Sequence, residues 1–289
     1  MIVFLADGRL GNQIFQYVFL KTIQKNNEKI VVSGFEDLTE VFEVNDFINI
    51  NKKNRSIRGF VFRVCKPVLH LLSDMRLISS IAINHEKVLE GYRRESTTYV
   101  EQKGVFDFIT FVKPGYFQSE LFFDKSLIQQ LKIKDIYLKE TRTYLQSISK
   151  DSYKVFIHIR RGDYNVHTVY GKSTLLPLSY YKDQIEWFIQ NIKKPFFIFL
   201  SDEPNFIEEE FKYIDNKLIS SDKHYGTDLA IMTKCNSAIL SPSSFSWWGS
   251  YLMKSRDTVF GPKYWLGFNS GVEYQSGSTP SFCKGIQII

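Results

Sequence analysis

The alternation of apolar and polar positions is clearest between Lys154 and Val166, in the stretch KVFIHIRRGDYNV. On a strand, Val155, Ile157 and Ile159 line one face, while Phe156, His158 and Arg160 line the other. Strands of a parallel sheet covered on both sides are nearly continuous apolar sequence, so a histidine and an arginine at the end of one need partners. In open α/β sheets the carboxyl ends of the strands face a ligand crevice, and polar residues belong there. The rest of the chain repeats the strand-helix rhythm. Residues 2–6 (IVFLA) read as a strand, DGRLGNQ as a glycine-bearing turn, and 12–25 as a helix whose apolar stripe includes Ile14, Phe15, Val18 and Phe19. KIVVSG (29–34) is a second strand, PGYFQSELFF (114–123) a strand turning into a helix, and 127–150 helix and connector. Beyond 150 come the strand 154–160, a helix capped by Ser179, the strand FFIFL (196–200) and a capped helix start at SDEPNFIEEEF. LISS, DLAIMTKC, SAILS and SSFSWWGSYLM then alternate strand and helix, and TVFGP reads as the last strand. The pattern predicts an α/β protein of two Rossmann-like domains, 1–150 and 151–289, facing each other across a cleft.

Composition narrows the function classes. The 289 residues exceed the roughly 100–200 of one domain, which supports the two-domain reading. With 44% hydrophobic and 16% aromatic residues, a sizeable core is available, and no run of about 18 apolar residues marks a membrane span. Net charge is +6, which favours an anionic partner (phosphate, nucleotide, nucleic acid or an acidic membrane surface) without choosing among them. Cys65, Cys235 and Cys283 are far apart and form no C-x-x-C pair, and the amino terminus has no basic leader, so inert thiols and a cytoplasmic setting are expected. From Phe47 to Ser73 there is no acidic residue, while Lys52, Lys53, Arg55, Arg58, Arg63 and Lys66 interleave with apolar positions. A basic helix packing its apolar side inward and a surface in peripheral contact with the inner membrane both fit that pattern.

The candidate chemistry gathers at two places. Arginine presents a planar fork that matches phosphate oxygens bidentately. Gly162 is expected to let the chain turn sharply, so that Arg161 is re-aimed beside Arg160, with Asp163 tethering a guanidinium or activating an acceptor. In LSPSSFSWWGS, a serine cluster precedes a helix, and such a helix start binds phosphate or is simply capped by Ser243 or Ser244. Trp247 and Trp248 follow on the helix and read as packing. There is no Asp-x-Asp pair and no G-x-x-x-x-G-K-[S/T], which removes the usual metal-diphosphate clamp and the P-loop. The remaining histidines are unclustered.

HIRRGDY (158–164) resembles the peptide motif of the α1,2- and α1,6-fucosyltransferase superfamily, and Tyr164 fits its α1,2 branch. GRLGNQIFQY (8–17), GYFQSELFF (115–123), FLSDEP (199–204) and DLAIMTKCNSAILSPSSFSWWGSYL (228–252) resemble that family's other blocks, in its order. The resemblance implies a GT-B fold with an amino-terminal acceptor side, a carboxyl-terminal domain for GDP-β-L-fucose, a β-galactoside acceptor, inversion, and no metal or other cofactor. It implies no nucleic acid partner. It also implies that Arg160 and Arg161 sit near the donor diphosphate and His158 near the nucleotide-sugar, with Asp228 on the guanosine and Ser243, Ser244 and Ser246 on the phosphates. Gly11 and Asn12 would approach the fucose and diphosphate. Arg160, Arg161 and Asp163 are the catalytic candidates.

Overall fold

The computed structural model describes residues 1–51, 54–83, 98–221, 223–272 and 286–289. It divides into two compact units: the described residues up to Lys132 form the first, and those from Ile133 onward the second. Cys283, Lys52 and Lys53 lie outside the described residues.

In the first unit a six-stranded sheet is built from β1 (Ile2–Leu5), β2 (Ile30–Ser33), β3 (Ile48–Asn49), β4 (Ile78–Ile83), β5 (Tyr99–Gln102) and β6 (Phe106–Val112). Their order is β3-β2-β1-β6-β4-β5, parallel throughout except for the β4–β5 pair. Two helices follow the first two strands, α1 (Leu10–Ile23) and α2 (Glu36–Val41). Phe4, Phe15, Phe19 and Phe35 are fully buried between these layers, as the apolar runs require. A further helical stretch joins α3 (Arg55–Phe60), a π turn at Val61–Cys65 and α4 (Lys66–Asp74). The expected strand at 114–123 does not form. Those residues make a loop and a 3-10 turn at Glu120–Phe122, because Phe117 is needed as a plug: it stacks on Phe19 at 4.0 Å between ring centroids.

The second unit opens with α5 (Asp135–Leu145), then β7 (Tyr153–Ile159), the short pair β8 (Thr168–Val169) and β9 (Lys172–Ser173), and α6 (Leu178–Asn191). It continues through β10 (Pro195–Ser201), α7 (Pro204–Glu210), β11 (Lys217–Ser220), α8 (Tyr225–Met232), β12 (Ser237–Ile239), α9 (Ser244–Tyr251), β13 (Val259–Gly261) and β14 (Ile286–Ile288). The main sheet is all parallel, in the order β11-β10-β7-β12-β13-β14. Taken in chain order within the unit this is 3-2-1-4-5-6, the doubly wound arrangement. Val155, Ile157 and Ile159 pack with Tyr180, Tyr181, Ile185 and Phe188 of α6, the face that alternation assigned to the core.

Three expectations change. The division falls at Lys132/Ile133, earlier than 150, because α5 packs within the second unit: Tyr144 Oη donates to the Ile219 carbonyl at 2.6 Å, and Tyr137 stacks on His224 at 4.9 Å. Helix α6 begins at Leu178 with Pro177 at its cap position, so Ser179 lies inside the helix. Strand β13 is followed by β14, which pairs with it in parallel. No helix among the described residues is long and apolar enough to cross a membrane.

Candidate functional site

The strand order of the second unit reverses between β7 and β12, and ligands of doubly wound sheets bind outside the carboxyl ends at such a point. His158 is the penultimate residue of β7 and is buried; its Nδ1 lies 2.6 Å from Ser241 Oγ, just past β12. Burial, reinforced by the neighbouring Arg160 charge, pushes the His158 pKa down to about 3. The imidazole is therefore neutral at ordinary pH and acts as a hydrogen-bonding group.

The segment 240–243 is braced from several directions. Tyr180 Oη donates to the Leu240 carbonyl at 3.0 Å and Tyr164 Oη to the Pro242 carbonyl at 2.6 Å. Ser246 is fully buried and its hydroxyl is held by the carbonyls of Ser241 (3.2 Å) and Ser243 (3.0 Å). That contradicts the expectation of Ser246 as a phosphate contact: its oxygen is enclosed and committed to fixing the loop. Ser243 caps α9, its Oγ accepting the Phe245 N–H at 3.2 Å, and Ser244 begins the helix. Both are half-buried, at the positive end of the helix dipole. Trp247 and Trp248 are fully buried and pack, as expected.

The two arginines take separate partners. Arg160 donates from Nε to Asp163 Oδ1 at 2.9 Å, and its Nη1 lies 3.3 Å from Asp202 Oδ2. Arg161 donates from Nε to Glu203 Oε2 at 2.7 Å and lies 3.6 Å over the Phe206 ring. Its backbone N–H donates to Asp202 Oδ1 at 2.9 Å. The guanidinium beside Glu203 holds that carboxyl below its usual range, despite some opposing desolvation. Arg161 is thus anchored on the first turn of α7, where the sequence reading expected it to be re-aimed beside Arg160. Gly162 has a different importance: a Cβ there would meet Asp202 Oδ2 at 2.7 Å, so glycine lets the acidic side chain sit against the backbone. Asp163 serves as a tether. The acidic start of α7 is not a capping feature, since Asp202 and Glu203 turn to the arginines.

Asp228, on α8, accepts a hydrogen bond from Ser220 Oγ at 2.6 Å at the end of β11. Burial raises its pKa to about 6, with the Glu140 charge adding and the Ser220 and Lys223 contacts opposing. A cavity of about 450 Å³ beside β11, lined by Pro204, Glu208, Lys217 and Ile219 among others, includes none of the expected site residues.

In the first unit the strand order reverses between β1 and β6. Gly8, at a φ of +83°, turns the chain into α1, in which Gly11 is buried and Asn12 half-buried. Asn12 Oδ1 accepts from Gln118 Nε2 at 2.7 Å, a link between the first turn of α1 and the loop after β6. Gln13 and Gln16 hold the turn itself: Gln13 Nε2 donates to the Gly8 carbonyl at 3.1 Å, and Gln16 Nε2 to the Asp7 and Gly115 carbonyls at 3.0 and 3.1 Å. Sequence reasoning missed Ser241, Glu203, Phe206, Gln118 and the two glutamines. Asp202 and Glu203 carried a visible signal, because they follow an apolar strand as directly as the arginines follow theirs.

These features define an α/β protein with basic and hydroxyl side chains gathered where a doubly wound sheet accepts an anionic ligand. Comparison with known proteins supplies the family: the chain belongs to glycosyl transferase family 11, whose model matches residues 1–266, and is a glycosyltransferase. It is 25% identical over 271 residues to galactoside alpha-(1,2)-fucosyltransferase 2 of Pongo pygmaeus, covering 90% of this chain and 71% of the relative. The O-antigen biosynthesis glycosyltransferase WbnK of Escherichia coli is 24% identical, with 91% and 94% covered. An alpha-1,2-colitosyltransferase of Escherichia coli is 26% identical, with 87% of each covered. The fold is similar to that of POFUT1 in its complex with GDP-fucose (TM-score 0.52, 13% identity, 89% of this chain and 97% of the other). It is likewise similar to fucosyltransferase NodZ from Bradyrhizobium (TM-score 0.50, 9% identity, 87% and 92%).

Proposed function

We propose that the chain is a GT-B fucosyltransferase that moves L-fucose from GDP-β-L-fucose to the 2-hydroxyl of a terminal β-galactose, with inversion and without a metal. The observation that carries this reading is the bond of His158 to Ser241 in the braced 240–243 segment at the switch point of the second unit, with the Arg160 charge acting on the same imidazole. The family match and the relatives' α1,2 specificity support the donor and linkage.

In this reading the second unit holds the donor. The diphosphate lies against Arg160 and the amino end of α9, with Ser243 and Ser244 beside it. Arg160 donates one of its five N–H groups to Asp163 and forms an ion pair with Asp202, and the two carboxylates orient its fork. Neutral His158 offers a hydrogen bond, its ring fixed by Ser241. Asp228 receives the guanosine, and Arg161 steadies the loop that carries Asp202. In the first unit, Asn12 is held by Gln118, beside buried Gly11. The galactose 2-oxygen forms the new bond to the anomeric carbon, the bond to the diphosphate oxygen breaks, and the hydroxyl proton leaves to a base. Negative charge collects on departing GDP, so prepositioned N–H donors lower the barrier most. Asp163 is assigned to orienting Arg160 in preference to the base role.

One relative favours a second reading, in which the donated sugar is a colitosyl group in the same linkage. The test is transfer to lactose from GDP-fucose and from GDP-colitose, with and without EDTA, followed by linkage analysis. An α1,2-fucosylated product at an EDTA-insensitive rate is expected. A different linkage, transfer from GDP-colitose alone, or activity abolished by EDTA and restored by Mg²⁺ would each overturn the corresponding part.

A further inference from the structure

The helical stretch from Arg55 to Asp74 exposes an apolar stripe that the proposed transfer reaction does not use. Ile57, Phe60, Val64, Val68, Leu71 and Met75 follow one another at three- and four-residue steps, and each is between 41% and 61% exposed. The π turn at Val61–Cys65 widens the helix where the stripe steps by four, which keeps these side chains aligned. Inward-facing positions behave differently: Val61 and Ser73 are buried, and His70 meets the Phe111 ring edge-on at 5.1 Å. The stripe leads toward the amino-terminal end of β6. The Val105 N–H donates to the Arg76 carbonyl at 2.9 Å, and Val105, Phe106 and Phe108 are themselves half or more exposed. A contiguous apolar surface of this kind marks an interaction site on a folded protein.

The charges along the helical stretch are mainly basic, with Arg58 paired to Glu36 at 3.6 Å and exposed Asp107 set between Phe106 and Phe108. No acidic residue occurs from Phe47 to Ser73, and Arg58, Arg63 and Lys66 lie along the same helical stretch. Exposed Asp74 at its end is neutralised by Lys113 at 2.8 Å. An apolar stripe bordered by cations is complementary to a surface that is anionic at its headgroups and apolar just beneath. Two copies of this face would bring like charges together, so self-association is the poorer fit.

We propose that this face of the first unit docks on the surface of an anionic lipid bilayer, with Phe60, Leu71 and Met75 entering the interface and Arg63 and Lys66 at headgroup level. The contact is independent of the donor and acceptor chemistry. Its test is sedimentation of the full chain at low salt with vesicles of phosphatidylcholine alone or of equal parts phosphatidylcholine and phosphatidylglycerol. Binding to the anionic vesicles only, weakened by salt, is expected. Arg63→Gln with Lys66→Gln should lower the partition coefficient about twenty-five-fold, at roughly fivefold per basic residue near such a surface. Phe60→Ser with Leu71→Ser should abolish binding, while the melting temperature and transfer to a soluble galactoside stay near those of the parent. No binding to anionic vesicles, equal binding to both vesicle types, or binding untouched by the Phe60/Leu71 change would overturn the proposal. So would a concentration-dependent dimer in sedimentation velocity, broken by that change, in a chain that ignores vesicles.

Discussion

His158 Nδ1 and Ser241 Oγ lie 2.6 Å apart and join the carboxyl ends of two adjacent parallel strands, at the point where the sheet's strand order reverses. The pair links a buried imidazole to the loop that starts α9, so ligand-facing groups on both strands share one rigid frame. With its folded pKa near 3 against an ordinary value near 6.5, His158 favours the folded state only while neutral. That contribution is fully present above about pH 6.5 and is lost as pH falls from there toward 3. His158→Asn, which keeps a group able to bond Ser241, should show a shallower loss of stability across that window than the parent. Melting curves from pH 7 to pH 4 measure it; identical slopes would mean that His158 is accessible to protons in the folded state.

Arg160 and Arg161 are adjacent in the chain but differ in what holds them, and their lysine variants should differ accordingly. Arg160→Lys keeps the charge but loses the fork, and a cost on the order of 10²–10³ in kcat is expected, or roughly 3–4 kcal/mol, with little change in melting. Arg161→Lys removes the stack on Phe206 and the directed bond to Glu203, so about 1–2 kcal/mol of stability should go with a smaller kinetic defect. Steady-state kinetics beside denaturant melts separate the two. Arg160→Lys turning over within about fivefold of the parent would remove Arg160 from the leaving-group role.

Gly162→Ala tests the packing of Asp202. The added methyl would meet Asp202 Oδ2 at 2.7 Å, displacing the carboxylate that spans the Arg161 N–H and the Arg160 guanidinium. A loss of at least about tenfold in kcat, some 1.4 kcal/mol, is expected with the fold intact by circular dichroism. Unchanged turnover would show that transfer tolerates a displaced Asp202.

Asp228 is held at a cost to the fold. Its pKa, raised by burial to about 6, means that the ionised form is penalised above pH 6 and that the penalty is relieved as pH falls from there toward 3.8. Asp228→Asn should therefore raise stability at pH 7.5, by about 1–3 kcal/mol, while raising the KM for the guanosine donor. In the parent enzyme that KM should rise as pH drops below about 6. A destabilised variant with an unaltered donor KM would place Asp228 in the framework alone.

Much of the architecture was legible in local pattern. The runs IVFL, VFIHI and FFIFL became β1, β7 and β10, and the face carrying Val155, Ile157 and Ile159 is the one packed on α6. The polar end of β7 indicates a crevice from sequence alone, because a histidine and an arginine would not end a covered strand without partners. Ser246 was misassigned for a physical reason: neighbouring serines look alike in sequence, and only the direction of the first helical turn decides which hydroxyl faces outward and which is enclosed.

By itself, then, the sequence determined the succession of strands and helices, the polar termini of β7 and β12, and the membership of the chain in its family. Those properties are carried by short-range periodicity and contiguous residue blocks. The tertiary structure alone decided which carboxylate holds which arginine. Register aligns Ser201 with Ile159, so Asp202 falls level with Arg160 from 42 residues downstream, and the following Glu203 reaches Arg161. It also decided that α5 belongs with the second unit and that the stripe from Ile57 to Met75 faces outward. Each of these depends on how separate elements are set side by side, and side-chain periodicity within one element does not encode what stands opposite it.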